Sequence, residues 1–287
     1  MIEPIMETSA EFTTADLSRL AVRDWAADGT LHGTPSNRKP LVLIVHGLGE
    51  HAERYQPLAA RLAAAGYPVR AYDHYGHGRS SGPRGGLARD LQLVDHLAEL
   101  AAATMALPQH AGRGLVLVGH SLGGLIVASA VMRGLVSPTL LVMSSPALAV
   151  RMAAWQRAAV GILPRFLPSL TLGNGLDPQI LSHDRKVVEE YLADPLVHDR
   201  ICARLGGFVF NEGVAVRAAA ARWTTPTLLL YAGDDRAVDP QGSREFAAAA
   251  PPSAVRAQCF AAMYHEIFNE PDASAVTALE TALAGVA

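Results

Sequence analysis

Residues 115–132 read as a strand, a sharp turn and a helix, with a serine at the apex. Leu115-Val116-Leu117-Val118 is an apolar, valine-rich run of strand length, and Leu122 to Met132 is a small-residue, helix-like segment. Between them stands Gly119-His120-Ser121-Leu122-Gly123-Gly124. Glycine occupies the positions two before and two after Ser121, where a side chain would collide with the neighbouring strand or helix. A turn built this way pushes the serine hydroxyl out of the top of a sheet. G-x-S-x-G alone is common; the strand before it and the helix after it are what make it informative here.

The rest of the chain repeats that alternation of short apolar runs and alanine-rich helical stretches, the pattern of a mostly parallel sheet wrapped by helices. Strands are expected at Leu41–Val45, Tyr67–Tyr72, Leu115–Val118, Thr139–Met143, Thr227–Tyr231 and Val255–Phe260. Helices are expected at Tyr55–Ala65, Leu87–Met105, Leu122–Met132 and Leu279–Val286. The rhythm stops between Pro146 and Thr225. Residues 147–224 therefore read as an insertion of helices and loops, a cap above a core made of 1–146 and 225–287. Trp155, Ile162, Leu163, Phe166 and Leu167 in this insertion suit either packing onto the body or contact with a fatty chain.

At 287 residues the chain can form one large domain with such an insertion. A net charge of −3 and the lack of any long Lys/Arg run exclude an electrostatic case for nucleic acid. Cys202 and Cys259 are too few for a disulfide framework or a cysteine metal site, which points to a reducing compartment. Met1–Glu7 is acidic and holds a proline, unlike a secretory leader, and no uncharged apolar run reaches membrane-spanning length. The expectation is a cytoplasmic protein of undetermined oligomeric state.

A serine hydroxyl needs a base to take its proton, and the base needs an acid to hold its tautomer. The order for this type of sheet is Ser, then Asp or Glu, then His. Of the three histidines after Ser121, His183 and His198 lie in the insertion, whereas His265 follows the last expected strand. Asp234 and Asp235 both follow Leu228-Leu229-Leu230-Tyr231-Ala232-Gly233. Asp235 is preferred because Asp-Arg-Ala-Val carries the loop onward, with Asp234 as the alternative. The oxyanion donors are expected to be the backbone N–H of Leu122 and of Leu48, the latter in His46-Gly47-Leu48-Gly49 after an earlier strand. The Asp73-His74-Tyr75-Gly76-His77-Gly78-Arg79-Ser80 run could suggest a metal, but its ligand types alternate with glycines in a turn. It reads as a loop packed under the site, and no metal is expected. His120 is expected to pack rather than act as the base.

Together, His46-Gly47-Leu48-Gly49-Glu50-His51 with Arg54-Tyr55, the Asp73–Ser80 run, the Ser121 turn, Ser145-Pro146-Ala147-Leu148, Asp194-Pro195-Leu196-Val197 and Tyr264-His265-Glu266 cover nearly the whole chain. They resemble the monoacylglycerol lipase and lysophospholipase branch of the α/β-hydrolases, with its serine aminopeptidase S33-type domain. The resemblance implies an α/β-hydrolase fold with a helical cap, and hydrolysis of a monoacylglycerol or lysophospholipid-like single-chain ester through an acyl-enzyme, with no cofactor. It places Ser121, Asp235 and His265 on the triad and Leu48 and Leu122 on the oxyanion hole. It also places Glu50 and Tyr191 near the glycerol end of the pocket. Many relatives carry methionine where Leu122 stands, which matters little for a backbone donor. The competing readings are a generalist short- or medium-chain carboxylesterase and an inactive α/β-hydrolase that only binds. Arg151, Arg157 and Arg165 among the apolar cap residues suggest transient contact with a membrane surface.

Overall fold

The computed structural model describes residues 7–26, 39–152 and 154–286, with side chains of 154–159 excluded. Met1–Met6 and the side chains of Trp155 and Arg157 therefore lie outside the described residues. The long apolar runs become the centre of an eight-stranded sheet. Its strands are β1 (Glu7–Thr13), β2 (Arg19–Trp25), β3 (Leu41–Val45), β4 (Val69–Tyr72), β5 (Leu115–His120), β6 (Leu140–Ser144), β9 (Thr227–Ala232) and β10 (Val255–Phe260). Their spatial order is β1-β2-β4-β3-β5-β6-β9-β10. The six from β4 to β10 are parallel, and β1 and β2 add on antiparallel. β3, β5, β6 and β9 are buried throughout, which is why they read as unbroken hydrophobic runs rather than alternating ones.

Successive residues of β3 feed the two faces. Leu41, Leu43 and Val45 pack with Leu93 and Leu97 of α2 (Gln92–Met105) and Leu125 of α3 (Leu122–Met132). Val42 and Ile44 pack with Leu58 and Leu62 of α1 (Gln56–Ala64) and Leu279 and Leu283 of α8 (Ser274–Ala284). A parallel sheet with helices on both faces raises the carboxyl ends of its strands into one crevice. Ser121, Asp235 and His265 all follow such ends.

The insertion contains α4 (Ala154–Phe166), a two-stranded antiparallel sheet of β7 (Thr171–Gly173) and β8 (Arg200–Cys202), α5 (Arg185–Ala193) and α6 (Ala203–Ala219). α6 belongs physically to the body: its Leu205, Phe208 and Val216 share the core cluster of Leu125 and Ile126. Its Glu212 accepts from Ser129 Oγ at 2.5 Å and Arg133 Nη2 at 2.7 Å.

Four elements among those described differ from the sequence expectation. β1 and β2 were not expected; β2 is only half-buried in pattern and β1 is a polar edge strand, so neither has the apolar run that marks the central strands. α7 (Pro240–Ala249) was also missed, although its start signal is in the chain. Asp239 caps Gln241 N at 3.1 Å and Pro240 stands in the first turn. The helix expected from Leu87 starts at Gln92, because Gln92 turns its side chain back to accept from Ala88 N at 2.8 Å.

Candidate active site

β5 ends at His120 and α3 begins at Leu122, so Ser121 alone makes the turn. Ser121 has φ 53° and ψ −117°, a left-handed backbone that costs a non-glycine residue about 1–3 kcal/mol and recurs at functional turns. The two glycines are obligatory. A Cβ at Gly123 would meet Val45 O at 2.0 Å, and one at Gly119 would meet Gly123 O at 2.5 Å. Ser121 N donates to Ser144 O at 2.9 Å and Ser121 O accepts from Ala147 N at 3.0 Å, so both neighbouring chain segments hold the apex. α3 is buried along almost its whole length and points its N-terminus at Ser121, an end that favours negative charge.

The loop after β3 lies over this apex: a Cβ at Gly47 would stand 3.2 Å from Ser121 Cβ. Among the described residues, no acceptor in the protein takes the N–H of Leu48 or of Leu122. Two backbone donors beside the serine are thus unclaimed within the protein.

His265 Nδ1 donates to Asp235 Oδ2 at 2.7 Å, with both side chains buried. Asp235 Oδ1 accepts from Ala237 N and Val238 N, each at 2.9 Å, so both carboxylate oxygens are engaged. Asp234 is turned to solvent, paired with Arg236 at 2.9 Å, and makes no contact with His265. Burial disfavours the His265 imidazolium, but the Asp235 carboxylate outweighs it and the pKa stands above the ordinary 6.5. Asp235 is held below the usual carboxylate range: burial works against the charge, and His265 and the two backbone N–H groups overcome it.

His120, beside Ser121, packs its ring 4.7 Å from that of His265 and hydrogen-bonds Ser144 Oγ through Nδ1 at 3.1 Å. Burial, then the nearby His265, lowers its pKa to about 4. It is a neutral backing ring, and its contact sets His265 alongside the serine turn.

Glu50, expected near the glycerol end of a pocket, has its carboxylate engaged by the protein itself. It is 4% exposed and its carboxylate faces inward. Oε1 accepts from Gly47 N at 2.6 Å and Tyr55 Oη at 2.8 Å, and Oε2 accepts from Arg54 Nη1 at 2.6 Å. Arg54, in the helical turn Ala52–Tyr55 that follows, falls four residues on and pairs with the carboxylate. Tyr191 is different. Its ring lies under Arg54, 4.7 Å from the guanidinium carbon, and its hydroxyl is 3.7 Å from a Cβ built at Gly49. Burial raises the phenol to about 12, so it stays a neutral donor.

Sequence reasoning missed how the insertion is fastened to the loop after β3. His51 Nε2 donates to Asp194 Oδ2 at 2.7 Å, and His198 N donates to Gly49 O at 2.8 Å. The Asp194–Val197 motif was visible in the chain, but its partner 143 positions earlier was not. His46, His74 and His77 pack beneath this junction, and His198 closes on His77 with ring centroids 4.7 Å apart. His74 Nε2 donates to His46 O and His46 Nε2 accepts from His74 N, both at 2.9 Å. Their ring nitrogens thus knit the loops together. Asp73 caps Ala52 N and Arg79 N, each at 2.8 Å, under the site. Among the described residues no group of three or more His, Cys, Asp or Glu could hold a metal ion.

A parallel sheet with a strained serine turn, a buried Asp–His pair and two open N–H groups is the architecture of an α/β-hydrolase. Residues 36–272 match the family model described as serine aminopeptidase, S33, and the chain belongs to that family. Monoacylglycerol lipase of Mycolicibacterium smegmatis is 34% identical over 236 residues, 81% of this chain and 83% of that one. Human monoglyceride lipase is 33% identical over 245 residues, 80% of this chain and 74% of that one. An uncharacterized abhydrolase domain-containing protein of Dictyostelium discoideum is 30% identical over 269 residues; they are 90% of this chain but only 27% of that longer protein. The crystal structure of Paleococcus ferrophilus monoacylglycerol lipase superposes with a TM-score of 0.80 at 33% identity, covering 93% of this chain and 99% of that one.

Proposed function

We propose that this chain is a serine carboxylester hydrolase acting on monoacylglycerol-like single-chain esters. The observation that carries the reading is the buried Asp235–His265 pair beside the strained Ser121 turn, under two unclaimed N–H groups. His265 Nε2 takes the Ser121 proton as the oxygen attacks the ester carbonyl. Leu48 and Leu122 N–H hold the oxyanion, and the α3 N-terminus adds its dipole. His265 then protonates the leaving alcohol and later removes a proton from the water that releases the acid. Asp235 keeps the Nδ1 proton in place throughout, so Nε2 is the basic nitrogen.

The substrate class rests on the relatives: the bacterial and human proteins matched over 81% and 80% of this chain carry the name monoacylglycerol or monoglyceride lipase. The insertion supports it. Residues 147–202 form the cap in this reading, while α6 is part of the body. Ile162, Phe166, Leu167 and Leu172 of the cap are more than half exposed, with Arg165 among them. A patch of that kind suits transient contact with a lipid surface. No helix among the described residues is long and apolar enough to cross a membrane. Two free cysteines fit a reducing, cytoplasmic setting.

A substrate panel tests this directly. Long-chain 1-monoacylglycerol should exceed its acetyl analogue in kcat/KM by about tenfold or more, since each buried methylene adds to the discrimination, and should exceed lysophosphatidylcholine of the same chain, whose charged head group it lacks. Faster cleavage of an aminoacyl amide than of any ester would overturn the reading. In the same panel, Phe166→Ser with Leu167→Ser should slow hydrolysis of vesicle-borne monoacylglycerol but not of soluble ester; equal rates on vesicles would remove the surface contact.

The pH profile follows from the same pair. The base must be neutral to act, so the rate falls as pH drops through the His265 pKa. Because that pKa is raised, the acid limb of kcat/KM should fall at a pH above 6.5. A limb below 6.5 would contradict the Asp235 contact.

A further inference from the structure

We propose that Glu50 is a positioning residue: its carboxylate sets the Gly47–Leu48 peptide, and Arg54 ties that carboxylate to the loop carrying His265. The inference rests on the serine-hydrolase reading above. Glu50 Oε1 takes the Gly47 N–H at 2.6 Å, one peptide before the Leu48 N–H that would receive the oxyanion. Arg54 then donates from Nη1 to both Glu50 Oε2 at 2.6 Å and Glu266 Oε1 at 2.7 Å, and from Nη2 to Glu266 Oε2 at 2.8 Å. Glu266 directly follows His265 and is itself held by Asn269 Nδ2 at 2.7 Å. One guanidinium therefore joins the oxyanion loop to the histidine loop across 212 positions of sequence.

The energetics argue for placement rather than stability. Burying an arginine between two carboxylates is a poor way to stabilise a fold, because desolvation offsets most of the attraction. What such a triad does well is fix geometry, since its hydrogen bonds are short and directional. Its charge is also unbalanced, two carboxylates to one guanidinium. The charged and titratable groups around His265 are Asp235, Glu266 and Glu50, with His120 against its ring, Arg54 between the two glutamates and Arg151 on the Asp235 carbonyl. The triad's excess negative charge thus supports the imidazolium that forms as Ser121 attacks.

Two variants separate reach from charge. Glu50→Asp keeps the charge that neutralises Arg54 but pulls the carboxylate back from Gly47 N. It should lose about 10²-fold in kcat, the usual cost of misplacing a reacting group by about 1 Å. The loss should appear on 1-monoacylglycerol and on p-nitrophenyl acetate alike, with KM within about threefold, because a transition-state contact is what fails. Glu50→Gln keeps an acceptor at full reach; it should recover to within about tenfold of wild type and move the acid limb to lower pH. Wild-type kcat in Glu50→Asp would overturn the proposal. So would a loss confined to the KM for monoacylglycerol, which would make Glu50 a glycerol contact. A wild-type enzyme that is not labelled at Ser121 by a fluorophosphonate would instead remove the serine-hydrolase reading itself.

Discussion

Ser121→Ala is expected to lower kcat on 1-monoacylglycerol by about 10⁶-fold, leaving only what the oxyanion donors and substrate binding supply. The size of the effect follows from the geometry. Ser121 is the residue at the top of β5 whose backbone is held by Ser144 and Ala147 and whose neighbours at both glycine positions admit no side chain. No other hydroxyl occupies that apex, so nothing substitutes for it. The fold should be unaffected, because the serine side chain makes no hydrogen bond on which packing depends. Thermal unfolding of the variant within about 2 °C of wild type, beside the lost rate, separates chemistry from folding. Retention of full esterase activity would remove Ser121 from the mechanism.

Asp235→Asn should cost about 10⁴-fold in kcat, through a change of tautomer. Asp235 Oδ1 is claimed by Ala237 N and Val238 N. An asparagine there keeps its oxygen on those donors and turns its amide N–H toward His265 Nδ1. His265 must then accept at Nδ1 and carry its proton on Nε2, facing Ser121 as a donor. The base is present and cannot act. Asp234→Asn, at an exposed position paired only with Arg236, should stay within about threefold of wild type, as surface changes usually do. The reverse ranking of the two variants, in the same steady-state assay, would move the acid to Asp234.

The central fold was legible because its strands are buried on both faces. Leu41–Val45 and Leu115–Val118 carry no polar residue, so length and apolarity alone mark them. β1 and β2 were not, since a half-exposed strand such as Arg19–Trp25 mixes charge and apolar residues and its identity comes from pairing with β4. That Ser121 and His265 follow strand ends was legible from the order of motifs along the chain. The choice between Asp234 and Asp235 needed side-chain direction, which two adjacent residues of one type cannot encode. Glu50 shows the opposite failure. The family resemblance suggested a substrate contact, but the carboxylate is engaged by Arg54 at i+4, which a glutamate far downstream shares. Contacts such as Asp194 on His51 are likewise invisible until the insertion folds back on the body.

The covalent intermediate is the most direct test of the whole account. Wild-type enzyme mixed with 1-monoacylglycerol, quenched in acid within the first turnovers and digested, should yield an acylated peptide containing Ser121, absent from Ser121→Ala. An acyl group on any other residue, or turnover of the ester with no acylated peptide trapped in repeated quenches, would contradict it.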